Sequence, residues 1–209
     1  MMDEEAARAA LDVPRGTMER LEGFVGLLQT ESGRHNLVSA SSLEQVWSRH
    51  VLDSAQLIRF APANAETWLD LGSGPGLPGL IVALLHRSRV TLVESRRLRA
   101  EFLHKAAETL GVTDKIEIVC ARAEALAPRP FDVISARAFA PLDKLLAVGS
   151  PFSTSGTCWI LPKGRSAKSE LEAARASWQG EFRLEPSVTD ADAGIIVAKG
   201  VSRKAKGKR

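Results

Sequence analysis

Twelve residues, WLDLGSGPGLPG at Trp68–Gly79, hold the chain's densest set of residue types that can do chemistry. An apolar strand pattern ends there and a helical one begins. Gly72, Gly74 and Gly76 let the backbone turn tightly and approach a ligand. Their missing side chains leave room for a nucleoside and an amino-acid portion across the strand ends. A G-x-G-x-x-G can be read at Gly74, Gly76 and Gly79, which points to a dinucleotide. Its first glycine comes three residues past Leu71, too late for the turn that motif needs. Counted from Gly72 the pattern is G-x-G-x-G, with an acid, Asp70, two residues earlier. Pro75 and Pro78 also remove N–H donors that a pyrophosphate requires. A cofactor without phosphate, S-adenosylmethionine, does not miss them.

Three positions downstream fit the same ligand. Glu94 lies 22 residues after Gly72 at the end of the next strand, where a carboxylate can accept from both ribose hydroxyls. Ala123-Glu124 follows the third strand, a turn that borders the adenine in methylase folds. SARAFAP (Ser135–Pro141) follows the fourth. Ligands of open parallel sheets sit beyond the strand carboxyl ends, so topology aims Arg137 at the site; the other reading is an arginine paired with a nearby acid.

What is missing narrows the chemistry. No [DNS]-P-P-[YFW] tetrapeptide is present to grip an exocyclic base amine, and no Pro-Cys pair offers a thiolate to a pyrimidine. Cys120 and Cys158 read as small strand residues of the core. No serine–histidine pair, paired carboxylates or metal-spaced His/Cys/Asp cluster stands out. The nucleophile that fits needs neither deprotonation nor covalent help. Guanine N7, unprotonated at neutral pH, is the leading case, and catalysis then reduces to alignment and electrostatics.

The elements that must position these residues follow from periodicity. Leu21, Phe24, Val25, Leu27 and Leu28 recur at helical spacing. A second helix is predicted over Leu43–Phe60, with Ser41 and Glu44 forming a capping box at its start. From Thr67 strands and helices alternate: strands at 67–71, 89–94, 115–120, 131–135, 156–161, 182–187 and 194–198, and helices at 78–86, 97–110, 141–148 and 166–178. Gly111 stops the second of these helices. The expectation is an α/β fold, a mostly parallel twisted sheet with helices on both faces, carrying an N-terminal helical extension. The boundaries are 1–62 for the extension, 63–200 for the catalytic domain and 201–209 for a disordered basic tail.

The residues also carry a family likeness. Asn36-Leu37, WSRHVLDS (Trp47–Ser54), LDLGSGPGLPG (Leu69–Gly79), LVES with RRLRAEFL (Leu92–Leu103), ARAE (Ala121–Glu124), FDVISARAFAPL (Phe131–Leu142) and LPKG (Leu161–Gly164) occur in one order. Over residues 30–165 the chain resembles the bacterial 16S ribosomal RNA guanine-N7 methyltransferase family, RsmG, also called glucose-inhibited division protein B (GidB). The resemblance implies a Rossmann-like methyltransferase fold, S-adenosylmethionine as methyl donor and a guanine N7 at rRNA position 527 as acceptor. It implies that Gly72, Gly74 and Leu77 line the cofactor, that Ala123 and Glu124 flank its adenine, that Glu94 takes the ribose, and that Arg137 stands at the edge of cofactor and active site. Arg49, His50, Asp53 and Ser54 would face the cleft. The chain has no tyrosine, so base stacking falls to Phe or Trp, and Phe139 is the candidate, with a core role as the alternative. Lys163 and Arg165, at a strand end near the site, are the candidates for rRNA phosphates.

Charge separates partner from chemistry. The net charge is +3, but the last eleven residues hold six Lys/Arg and no acid, leaving a body with 22 basic and 25 acidic residues. The basic run can bind RNA phosphates without choosing a base, or serve as a solubilising end. The acidic start MMDEEAARAA lacks the features of a secretory signal, and no apolar run approaches 18 residues, so a cytoplasmic monomer is expected. Two other readings compete: a methyltransferase acting on a protein or small molecule, and a non-enzymatic RNA-binding module with a vestigial pocket.

Overall fold

Near-continuous burial along the central strands, with alternate side chains sent to opposite faces, builds the molecule. We describe it from a computed structural model covering residues 2–205. Strands β1 (Thr67–Leu71), β2 (Arg89–Val93), β3 (Ile116–Val119), β4 (Val133–Ser135), β5 (Cys158–Lys163), β6 (Trp178–Pro186) and β7 (Gly194–Arg203) form one sheet in the order β3-β2-β1-β4-β5-β7-β6. All pairs through β5 are parallel; β7 runs antiparallel to both β5 and β6. The order reverses between β1 and β4, which opens a crevice at their carboxyl ends.

Alternate side chains feed two cores. Trp68, Leu92, Val133, Ile160 and Val197 point to one face and Leu69, Val93, Ile134, Trp159 and Ile196 to the other. The first face is covered by α2 (Arg15–His35), α5 (Gly79–Leu85) and α6 (Arg97–Leu110), through Leu21, Phe24, Leu28, Leu80, Ile81, Phe102 and Leu103. The second is covered by α7 (Leu142–Gly149) and α8 (Ala167–Ala174). The expected α/β architecture with helices on both faces is present. The N-terminal helices share the first core, so burial of their apolar stripe holds them on the sheet domain.

Several elements depart from expectation. The helix over 43–60 is broken into α3 (Ala40–Leu43), a π-helical turn (Trp47–Leu52), α4 (Asp53–Ala55) and a 3₁₀ turn (Gln56–Phe60). The capping residue of α3 is Ser39, whose hydroxyl accepts the Ser42 N–H at 3.3 Å, and not Ser41. The last helix stops at Ala174 because Trp178 belongs to β6. There it is buried in the second core, with Nε1 donating to Asp143 Oδ1 at 2.8 Å. Strand β7 continues through Arg203, with Val201 buried and Trp178 opposite Arg203. The basic tail therefore begins at Lys204 and not at 201, and its residues 206–209 lie outside the described part. Cys120 falls just past β3 and is exposed, against the core role expected of it; Cys158 is buried.

Candidate active site

The glycine loop leaves β1 with Gly72, Gly74 and Gly76 all at positive φ, +68°, +56° and +86°. Its shape is held from below by two acids. Asp70 is fully buried; its Oδ1 accepts from Ser135 Oγ at 2.8 Å and its Oδ2 from the Gly79 N–H at 3.2 Å. Ser135 in turn accepts from Trp68 Nε1 at 2.8 Å, so one polar chain ties β1, β4 and the start of α5. Burial raises the Asp70 pKa from 3.8 to about 6, moderated by the hydrogen bonds from Ser135, Ser73 and Gly79. Glu94, 5% exposed, accepts from the Gly74 N–H at 3.0 Å and from the Arg96 N–H at 2.8 Å. The strand-end acid thus clamps the loop itself. Each of its oxygens keeps a second lone pair.

A cavity of about 780 Å³ opens beside this loop, within the range of small-molecule sites. Gly72, Gly74 and Leu77 form one wall. A Cβ at Gly72 would collide with the Phe139 ring, whereas one at Gly74 would meet nothing closer than 3.9 Å. The backbone at Gly74 therefore leaves a bare, unfilled cradle, the fit a nucleoside-bearing cofactor needs.

The opposite elements contribute Arg49, His50 and Asp53 from the π-helical turn and α4, and Arg137 and Phe139 from the loop after β4. The turn is anchored from a distance by α1 (Glu4–Ala9). Both Glu4 oxygens accept from it: Trp47 N–H at 2.8 Å, Ser48 N–H at 2.9 Å and Ser48 Oγ at 2.7 Å. Ser54, also expected at the cleft, is instead fully buried, and its hydroxyl donates to the His50 carbonyl at 2.6 Å. Arg137 joins the two walls: its Nη1 donates to the Arg49 carbonyl at 2.9 Å and to Asp53 Oδ2 at 3.4 Å. Arg137 thus lines the cavity and also pairs with an acid. Ala138 beside it has φ +51°, strain that puts neighbouring Arg137 and Phe139 at the cavity and costs about 1–2 kcal/mol in an L-residue.

Asp53 has a second role. Its Oδ1 accepts from Gln56 Nε2 at 2.8 Å and Thr189 Oγ1 at 3.0 Å, which docks the β6–β7 loop against the site. That loop and Arg99 line the cavity and were not anticipated. The loop has no motif to announce it, because it reaches the site through a side-chain hydrogen bond between Thr189 and Asp53, 136 residues apart in sequence.

Lys163 also lines the cavity but is committed inward. Its Nζ donates to the Ala140 carbonyl and to Glu170 Oε2, both at 2.8 Å. Glu170 further accepts from Leu142 N–H and Ser166 Oγ. Its pKa is held down by the bonds from Lys163 and Ser166 and the Lys163 charge, which outweigh partial burial. This cluster fixes the loop after β4 against α8. Arg165 is outside the cavity, 86% exposed and 3.1 Å from Asp192. Ala123 is buried and Glu124 exposed on the short turn after β3; these two and Glu94 do not line this cavity.

Comparison with known proteins bears on family and fold. Residues 17–194 match the family described as GidB, rRNA small subunit methyltransferase G. A protein of Rhizorhabdus wittichii named ribosomal RNA small subunit methyltransferase G is 52% identical, over 100% of this chain and 98% of its own. A protein of the same name from Zymomonas mobilis is 47% identical, over 94% of each. Among solved structures, an O-methyltransferase from Bacillus cereus in complex with SAH superposes with a TM-score of 0.64 at 14% identity, covering 94% of this chain and 96% of that one. The ribosomal protein L11 methylase of Lactobacillus delbrueckii gives 0.59 at 19% identity, over 75% and 79%. At such identities these two establish the fold alone.

Proposed function

The chain belongs to the rRNA small subunit methyltransferase G family, and from that premise we propose that it methylates N7 of the guanine at position 527 of 16S rRNA, with the cavity walls divided between methyl donor and base. It is an S-adenosylmethionine-dependent enzyme and its substrate is ribosomal RNA. The observation that carries the finer reading is one shared cavity. The open glycine loop at the β1–β4 switch point and the RHxxDS turn line the same 780 Å³.

In this reading Gly72, Gly74 and Leu77 hold the cofactor. Glu94 fixes the loop and offers its remaining lone pairs to the ribose, and Ala123 and Glu124 border the adenine on the neighbouring strand end. Arg137 is a positioning residue, holding the Arg49–Asp53 wall against the loop after β4. Arg49, His50, Asp53 and Phe139 face the base, and the exposed Arg165 exchanges its surface pairing with Asp192 for phosphate. Lys163 orders the loop rather than binding RNA, as its two inward bonds support. Bound, S-adenosylmethionine would supply an electrophilic methyl group: the new N7–carbon bond would form in line as the carbon–sulfur bond breaks, S-adenosylhomocysteine leaving without a covalent enzyme intermediate. The protein's part is to exclude water, hold the two reactants in line and keep charged groups paired around a purine that becomes cationic. Residues 1–62 serve as a helical extension of the catalytic domain that begins at 63. No described helix is long and apolar enough to cross a membrane, and we place the protein in the cytoplasm as a monomer.

Incubation with radiolabelled S-adenosylmethionine and naked 16S rRNA, 30S particles or total protein tests this. Label is expected in RNA as 7-methylguanosine; label in protein or in another nucleoside contradicts it.

A further inference from the structure

The polar side chains deepest in the cavity are hydrogen-bonded within the protein, with one exception. Asp53, Arg137, Lys163 and Glu170 each have the partners given above. His50 does not: at 8% exposed, neither Nδ1 nor Nε2 has a hydrogen-bond partner, and both are sealed from water. Leaving a buried polar group unsatisfied costs about 1–3 kcal/mol; among the described residues Ser32 Oγ and Trp159 Nε1 share this state away from the cavity, one atom each, whereas His50 leaves both nitrogens and lines the cavity. The ring lies in the cavity wall, on a backbone turn that Glu4 and Ser54 hold in place. The ring's one polar approach is to the Arg49 backbone of its own turn, so a turn about Cβ–Cγ toward an incoming group would give up no bond to another element.

We propose that His50 is the specificity-determining residue of this site: its unprotonated ring nitrogen accepts the N1–H of the acceptor guanine. This rests on the guanine-N7 reading above. Burial, with Arg137 and Arg49 nearby, holds the ring far below its ordinary pKa of 6.5, at about 3, so it stays an acceptor and does not add charge beside a cationic purine. Neutral imidazole also carries a donor N–H, which suits guanine O6. The acceptor role is the one that catalysis rewards. As N7 takes the methyl group, electrons drain from the ring, N1–H grows more acidic and its hydrogen bond strengthens, whereas O6 becomes a poorer acceptor. The bond is thus stronger in the transition state than in the bound substrate. Adenine has no proton on N1. Against adenine the ring could only donate its N–H to N1, a bond that weakens as the purine becomes cationic, so the transition-state gain made with guanine is lost.

The test uses the full-length protein with whichever of naked 16S rRNA or 30S particle the wild type methylates. His50→Ala and His50→Gln are compared, the second keeping an uncharged acceptor. His50→Ala is expected to lower kcat about a hundredfold, the scale of one lost transition-state hydrogen bond. Calorimetric affinity for S-adenosylmethionine should be unchanged, and His50→Gln should recover at least a tenth of wild-type kcat. In parallel, RNA ligated with 1-methylguanosine at the acceptor position should be methylated about a hundredfold more slowly by the wild type and no more slowly than normal RNA by His50→Ala. If His50→Ala fails to fold, the wild-type rate on 1-methylguanosine decides alone. A cofactor-binding His50→Ala with wild-type kcat, or a wild type indifferent to 1-methylguanosine, overturns the proposal and spares the function. A wild type that makes no 7-methylguanosine overturns both.

Discussion

Two buried titratable groups give the site opposite responses to acid. The His50 pKa is depressed, from 6.5 to about 3, so its contribution to stability is fully present above 6.5 and is lost as pH falls toward 3. The Asp70 pKa is raised, from 3.8 to about 6, so its contribution is full below 3.8 and is lost as pH rises through 6. Between pH 4 and 6 the two slopes oppose. Comparing each variant with wild type separates them. In urea unfolding, wild type is expected to lose about 2 kcal/mol more than His50→Gln between pH 7 and pH 5. Equal losses would place the imidazole in a solvated setting. Gly74→Val makes the second residue-scale prediction. Its Cβ has open space, so the branched side chain fills the cradle, and the folded variant is expected to lose calorimetric S-adenosylmethionine binding at least a hundredfold; unchanged affinity would place the cofactor elsewhere. The glycines and Arg137 were legible in the sequence because a strand-end position fixes where they point. Asp70 was visible as a spacing landmark, but the network that gives it work joins Ser135 and Gly79, which adjoin it only in three dimensions.

At the level of elements, the RHxxDS turn depends on a helix forty residues away. Glu4 takes the N–H groups that begin the π-helical turn, and that turn carries His50 and the Arg49 carbonyl that Arg137 grips. Glu4→Ala removes three accepted hydrogen bonds, each worth about 1 kcal/mol. It is expected to lower Tm by several degrees and kcat about tenfold, with Glu4→Gln retaining part of both. A variant with lowered Tm and normal kcat would limit Glu4 to stability. Short apolar runs separated by helical periods revealed the alternating elements well, since strands buried on both faces stay apolar throughout. They gave no warning of the π-helical turn, because its geometry comes from a carboxylate outside the segment. They also overran the last helix, since ASW suits a helix until Trp178 finds its place in the core.

For the molecule as a whole, the N-terminal helices and the sheet share one core, and a net acidic body ends in a basic run. Because β7 reaches Arg203, truncation after Gly200 removes buried Val201 and is expected to destabilise the sheet. Truncation after Ala205 removes only residues 206–209, three of them basic. It should leave Tm and cofactor affinity unchanged while reducing the salt slope of RNA binding by one to three counterions; an unchanged slope would make the end a solubilising one. The account's central claim is that this cavity directs a methyl group to a single ring nitrogen. The most direct measurement is nucleoside analysis of 16S rRNA after exhaustive reaction, followed by chemical cleavage at 7-methylguanosine to map the position. One 7-methylguanosine per RNA at a single guanine is the predicted result. Methyl groups on another atom, or spread over many guanines, would contradict it.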